Sequence, residues 1–372
     1  MKIKHFFLAA ICLLTTNMLF TSCDSDNDDF INDDGSKIEL PNKRAFILNE
    51  GLYQQNNANI TFYNSNDNKI IKDIFKAQNG ANLGDTSQDM IEYNGYIYVT
   101  INGSNYLTKL NSAGVVQKSI SFAGDAILGG GIRYITAEDG FIYASFYGGV
   151  VAKINANTLE IVNTLQNIGS NLEGVSIAND NLYVANSFKM TGASCEYLNE
   201  VIVIDLNSFT VKERITVSTN PNQVIEEDDK IFVISWGNYY DKGYSFQMID
   251  PKQNNKVTEL GVATKMASGN DMVYLVNSDT DWSINKTTNT FFSYNVKTGI
   301  MNNSSFLKNA PEELASSTIY MISIDDESGD IYIGVTFFEA GNGTIYRFAK
   351  DGTYINKFDC GGISPLKMIF FN

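Results

Sequence analysis

The sequence predicts an all-β chain: a seven-bladed β-propeller of four-stranded blades, its ring closed by N- and C-terminal strands that share one blade. Three observations predict it. Short strand cores recur at a regular period, tight turns separate them, and the two ends of the repeating region carry complementary pieces of one blade.

The cores are Ala45-Phe46-Ile47-Leu48, Ile97-Tyr98-Val99, Ile142-Tyr143-Ala144, Leu182-Tyr183-Val184, Ile231-Phe232-Val233, Val273-Tyr274-Leu275 and Ile331-Tyr332-Ile333. β-Branched and aromatic side chains suit a pleated, half-buried surface. The period is roughly 47 residues, the size of one four-stranded blade. The stretch from Leu182 to Pro221 gives the rest of the unit. Leu182 to Asn186 is one strand, Val201 to Asp205 the next, and Thr210 to Val217 a third, with Asn207-Ser208 turning between the last two. Pro221-Asn222-Gln223-Val224 then opens the following blade. This unit resembles the YVTN-type repeat of YncE-like propellers, closely here and more loosely in the other blades. The resemblance implies a fold, not an activity.

Closure follows from the ends. The repeating region begins at a second-strand motif, Arg44 to Leu48, and finishes at a first-strand motif, Ser364 to Phe370. Strands contributed from both ends would seal the ring, whereas an open array would leave two unpaired edges.

Residues 1–22 have the order of a secretory signal peptide: Lys2 and Lys4, an apolar run from Phe6 to Leu14, then Phe20-Thr21-Ser22 before Cys23. The apolar run is too short to span a bilayer. Thr21-Ser22-Cys23 resembles the lipobox of bacterial lipoproteins, which implies lipidation of Cys23. Residues 23–42 then read as an acidic flexible tether, beginning Asp24-Ser25-Asp26-Asn27-Asp28-Asp29, with too little apolar surface to offset the entropy of ordering. The acidic run resembles the export signal of Bacteroides-type surface lipoproteins. The expectation is an outer-membrane, lipid-anchored protein facing the cell exterior, with residues 43–372 as the propeller.

Charge and histidine content exclude several functions. Loss of residues 1–22 removes two lysines and no acids, taking the formal charge from −15 to −17. Such a chain repels phosphate backbones and anionic headgroups, so nucleic acid is excluded as a partner and the only membrane link expected is the lipid. The one histidine, His5, lies in the signal peptide. Histidine-based nucleophilic catalysis and histidine metal or haem ligation are thereby excluded, and neither a cofactor nor a metal is expected. Asp279, Asp281, Ser283 and Asn285 alternate as in a calcium loop, but Ile284 replaces the turn glycine and Thr290 the closing glutamate. Only Cys195 and Cys360 remain as thiols, and no framework spacing pairs them.

In a propeller, the turns joining first to second and third to fourth strands share one face. Here they are minimal: Asn94-Gly95, Asp139-Gly140, Asp228-Asp229 and Ser328-Gly329. The loops after the second strands lie on the other face, are longer, and set aromatic residues beside amides. Candidate ligand contacts there are Asn49, Tyr53, Asn102, Tyr106, Tyr147, Phe188, Trp236, Tyr239, Trp282 and Phe337. The starts of the first strands line the same mouth and add Gln88, Arg133, Glu173, Gln223 and Lys265, with Asp89 beside them. A carboxylate pair for glycoside hydrolysis could come from Glu50, Asp89, Glu173, Asp279, Asp281 and Glu339, but no motif singles one out, so no enzyme is expected.

The repeat, the lipobox, the acidic run and Asn49-Glu50-Gly51 together resemble BtuG-type lipoproteins. That resemblance implies capture of a corrinoid of the cobalamin type for a TonB-dependent outer-membrane transporter. The aromatic loops alone fit a glycan- or protein-binding propeller without a transport role equally well.

Overall fold

The computed structural model describes residues 31–284 and 286–371. Seven four-stranded antiparallel sheets form a propeller. From the axis outward, blade 2 runs Ser87–Tyr93, Tyr96–Ile101, Tyr106–Asn111 and Val116–Ser121. The first strands of blades 3 to 7 are Ile132–Glu138, Leu172–Ala178, Pro221–Glu227, Lys265–Gly269 and Ile319–Ile324.

Blade 1 is composite, as its motifs require. Its innermost strand is the C-terminal Pro365–Phe371, paired antiparallel with Arg44–Asn49, from Arg44 opposite Phe371 to Leu48 opposite Lys367. Asn59–Asn64 and Lys69–Ile71 complete it. No sheet edge is left open at the junction.

The strand cores lie where blades press together. Tyr98, Tyr143, Tyr183 and Tyr332 are all buried at the centres of second strands. A buried phenol needs a partner for its hydroxyl. Tyr98 donates to the Ala156 carbonyl in blade 3 (2.8 Å), and Tyr183 to Asn255 Oδ1 in blade 5 (2.8 Å). In these two blades the tyrosine therefore fills an interblade core and ties its far end to a neighbouring blade, whereas the Tyr332 hydroxyl has no such partner among the described residues. The turns on the tight face behave as read: Asn94 and Gly95 both take positive φ (52° and 75°), as a two-residue hairpin turn of primed type demands.

One feature differs from the sequence expectation. Of the tether drawn over residues 23–42, residues 31–42 are fixed against blade 2. Ile31, Ile38 and Leu40 pack on the interblade core that also holds the short helix Ile74–Asn79. The buried Arg44 guanidinium gathers the segment: it pairs with Asp33 (2.7 Å) and donates to the carbonyls of Pro41 (2.7 Å) and Ser112 (2.9 Å). Three well-spaced apolar residues and one buried cation offset an ordering cost that the mean composition made look prohibitive. Residues 1–30, with the signal peptide and Cys23, lie outside the described residues. Cys195 and Cys360, for which no spacing suggests a pair, are both free: Cys195 is exposed, and burial pushes the Cys360 thiol up to about 11.

Candidate functional site

A cavity of about 480 Å³ opens on the long-loop face and runs along the axis, lined by the first strands of all seven blades. A regular irregularity builds it. In six blades the first strand slips register near its mouth end, around Leu366, Gln88, Arg133-Tyr134, Glu173-Gly174, Asn222 and Tyr320. A bulge adds a residue to one strand and re-aims its side chains. Here it sends polar residues toward the axis while the rest of the strand stays in the core. Gly174 is required at one of these points, since a Cβ there would lie 2.5 Å from the Asn222 carbonyl oxygen.

One side of the mouth is an ion-pair cluster. Arg133 Nε and Nη2 both donate to Glu173 Oε2 (2.9 and 2.8 Å), and Arg133 Nη1 donates to Gln88 Oε1. Tyr147 donates to Glu173 Oε1 (3.0 Å), and its ring centroid lies 4.4 Å from the Arg133 guanidinium carbon. Burial opposes the charge on Arg133, but Glu173 and the neighbouring tyrosines outweigh it and hold the pKa above the usual arginine value. Asp89 is saturated too, accepting from Met90 N, Ile135 N and Lys367 Nζ (2.9, 3.0 and 2.7 Å).

The opposite side is less complete. Tyr320 donates to the Glu50 carboxylate, and burial pushes that carboxyl above its usual range. Lys265 stands 5.1 Å from the Tyr320 ring centroid with no ion pair among the described residues, and burial lowers its pKa. Gln223 donates to the Thr264 carbonyl (3.0 Å), tying blade 5 to blade 6 beside Lys265. Asn222 is buried and lines the cavity, but its Oδ1 has no donor among the described residues.

A second cavity of about 210 Å³ adjoins the first and shares Arg133, Asn222 and Trp236 with it. Tyr147, Glu173, Phe188, Tyr197 and Tyr239 form most of its remaining wall, with Ser187, Cys195 and Asn220. Tyr197 packs edge-on against Tyr239 (5.8 Å), and Tyr147 against Phe188 (6.3 Å).

Of the residues singled out from the sequence, Gln88, Arg133, Tyr147, Glu173, Phe188, Gln223, Trp236, Tyr239 and Lys265 line these two cavities. Six do not. Asn49 is fully buried in blade 1, donating to Asn59 Oδ1 (2.7 Å) and the Cys360 carbonyl (3.3 Å). Asn102 donates to the Ile132 carbonyl (2.9 Å), and Tyr106, a strand residue, packs between blades with its hydroxyl on the Leu83 carbonyl. Tyr53, Trp282 and Phe337 stand exposed on the rim, Trp282 at 82% in the hairpin joining Met272–Asp281 to Lys286–Asn295. Sequence reasoning missed Tyr134, Tyr197, Asn222, Tyr320 and Lys367 as cavity residues. All but Tyr197 follow directly on a first-strand start, so a reading that allowed for bulges would have included them.

With this geometry in hand, similarity to known proteins is informative about fold. A family described as a domain of unknown function (DUF5074) matches residues 43–191. No curated protein matches the sequence. The structure is similar to that of a candidate 6-phosphogluconolactonase from Bacteroides uniformis, with TM-score 0.60 and 8% identity over 89% of this chain and 100% of that one. It is also similar to Kuenenia stuttgartiensis hydrazine synthase, with TM-score 0.54 and 14% identity over 69% of this chain and 74% of that one. The computationally designed protein Ika8 gives TM-score 0.51 and 9% identity over 88% and 90%. At these identities the likeness concerns the propeller fold alone.

Proposed function

We propose that this protein binds a small molecule at the long-loop mouth of its propeller and acts by capture rather than by catalysis. The observation that carries this is the pair of adjoining cavities with aromatic walls and a few convergent polar groups, the usual composition of a ligand site. The carboxylates favour binding over hydrolysis. Glu173 is committed to Arg133 and Tyr147, and Asp89 to Lys367 and two backbone amides. Glu50 lines the axial cavity with its carboxylate on Tyr320, and Asp279, Asp281 and Glu339 line neither cavity, which leaves Glu50 without an uncommitted carboxylate partner there.

Within that reading the ligand is a corrinoid, passed on to a TonB-dependent transporter by a protein held at the outer membrane through lipid on Cys23. The support is the sequence resemblance together with the mouth itself. A volume of about 480 Å³ takes a drug-sized molecule or one arm of a larger one, and the second cavity continues the surface toward Tyr239. A glycan or protein partner is the second reading, favoured by the exposed Tyr53, Tyr240, Trp282 and Phe338 around the same rim.

Calorimetric titration of the purified protein with cyanocobalamin separates them. Micromolar binding that weakens at least tenfold in Trp236→Ala supports corrinoid capture. No heat at millimolar ligand removes the corrinoid and leaves the rim reading to be tested on glycan arrays.

A further inference from the structure

Three cations line the axial cavity, and two are already neutralised: Arg133 by Glu173 and Lys367 by Asp89. Lys265 is the third. Among the described residues no carboxylate lies within ion-pair distance of its ammonium: the face of Tyr320 is 5.1 Å away, and the Glu50 carboxylate, held by Tyr320, acts on it only from beyond that distance. The Tyr320 hydroxyl is occupied by Glu50. A lysine ammonium carries three donors and no acceptor, so leaving it unpaired at the wall of a cavity is costly unless something else meets it.

The neighbouring strand carries the opposite deficit. Asn222 is 2% exposed, and its Oδ1 accepts no hydrogen bond among the described residues. Asn222 and Lys265 sit at the mouth ends of adjacent first strands, which the Gln223 to Thr264 bond holds together (3.0 Å). The bulge in Pro221–Glu227 falls at Asn222 itself. Trp236 lines the same cavity and offers an apolar face beside them.

We infer that Lys265 and Asn222 form an anion-anchored subsite for a hydroxylated organic acid. The acid group, carboxylate or phosphate, pairs with the Lys265 ammonium, a hydroxyl of the same molecule donates to Asn222 Oδ1, and its C–H face packs on Trp236. A neutral ligand would satisfy only Asn222, and a cation would add charge beside Lys265. The inference rests on the capture reading and names the chemistry that the inner part of the mouth selects. The strongly acidic chain slows the approach of such a ligand, so selectivity arises after entry, from a cation that makes no ion pair among the described residues, in a confined space.

The test is calorimetric titration of the full protein at pH 7 with D-glucuronate, D-glucose 6-phosphate and D-glucose, repeated on Lys265→Met and Asn222→Leu. The expected result is binding of at least one of the two acids, none of glucose, and affinity about tenfold or more weaker in each variant. Whichever acid binds identifies the group at Lys265 as carboxylate or phosphate. Failure of both acids at millimolar concentration, equal binding of glucose, or unchanged affinity in Lys265→Met overturns the subsite. Should Lys265→Met fail to fold by circular dichroism, competition by inorganic phosphate on the wild-type protein decides: displacement of the acid supports the anchor, and its absence removes it. Cyanocobalamin binding that is lost in Trp236→Ala but intact in Lys265→Met leaves capture standing and the anion anchor refuted.

Discussion

Ring closure can be measured through two phenylalanines from opposite ends of the chain. Phe46, in the second strand of blade 1, and Phe371, at the end of the closing strand, are both fully buried. Their rings meet edge to face at 5.9 Å, and Phe46 makes a second such contact with Phe62 at 5.9 Å. Truncating a buried phenylalanine costs about 4 kcal/mol in transfer and cavity terms. Two lost aromatic contacts add about 1 kcal/mol more, so Phe46→Ala should cost about 5 kcal/mol. At about 2.1 cal/mol/K per residue of unfolding entropy, Tm should fall by roughly 7 °C. Urea denaturation of Phe46→Ala, Phe371→Ala and the double variant gives the decisive number, a coupling energy of about 0.5 kcal/mol or more for the one contact they share. Strict additivity, or a Phe46→Ala cost below about 1.5 kcal/mol, would refute closure by the shared blade.

Three further outcomes follow from buried charges. Glu173→Gln keeps the shape but leaves Arg133 uncompensated, and denaturation should show a loss of about 3 kcal/mol. Arg44→Met strips the partners from the Pro41 and Ser112 carbonyls and from Asp33, worth about 3 kcal/mol locally, so limited proteolysis within residues 31–42 should accelerate roughly hundredfold. Burial holds the Lys265 amine below its usual 10.5, so the folded state binds this proton less tightly than the unfolded chain. Its cost is fully present below the folded pKa and is relieved as pH rises toward the unfolded value. Lys265→Met should therefore be more stable than wild type at pH 7, with the gap closing in alkali; a gap that widens with pH would contradict the assignment.

The fold was legible because its determinants are local. Each strand core is a run of β-branched and aromatic residues, and the turns are Asn-Gly or Asp-Gly pairs whose conformation follows from residue type. Even the closure could be read, since Arg44 to Leu48 and Ser364 to Phe370 are halves of one pattern. The site was legible only in part. The sequence indicated the face on which the cavities open, but strict alternation along a strand does not foresee the bulges that turn Asn222 and Tyr320 toward the axis. Tyr106 illustrates the converse. It sits among loop-like residues, which points to the mouth, yet its ring fills an interblade core because the strand starts at it. The order of residues 31–42 was hidden for another reason: it depends on Arg44 meeting Asp33 and Ser112, a contact across sequence that composition does not encode.

The chain has two tryptophans, and they divide the long-loop face into its two parts: Trp236 in the cavities, Trp282 on the outer rim. Their indole N–H signals, assigned through Trp236→Phe and Trp282→Phe, report directly on where a ligand sits. Adding cyanocobalamin and then D-glucuronate to the labelled protein should move or broaden the Trp236 signal and leave that of Trp282 in place. A Trp236 signal unmoved by both ligands, or a response confined to Trp282, would contradict capture at the mouth.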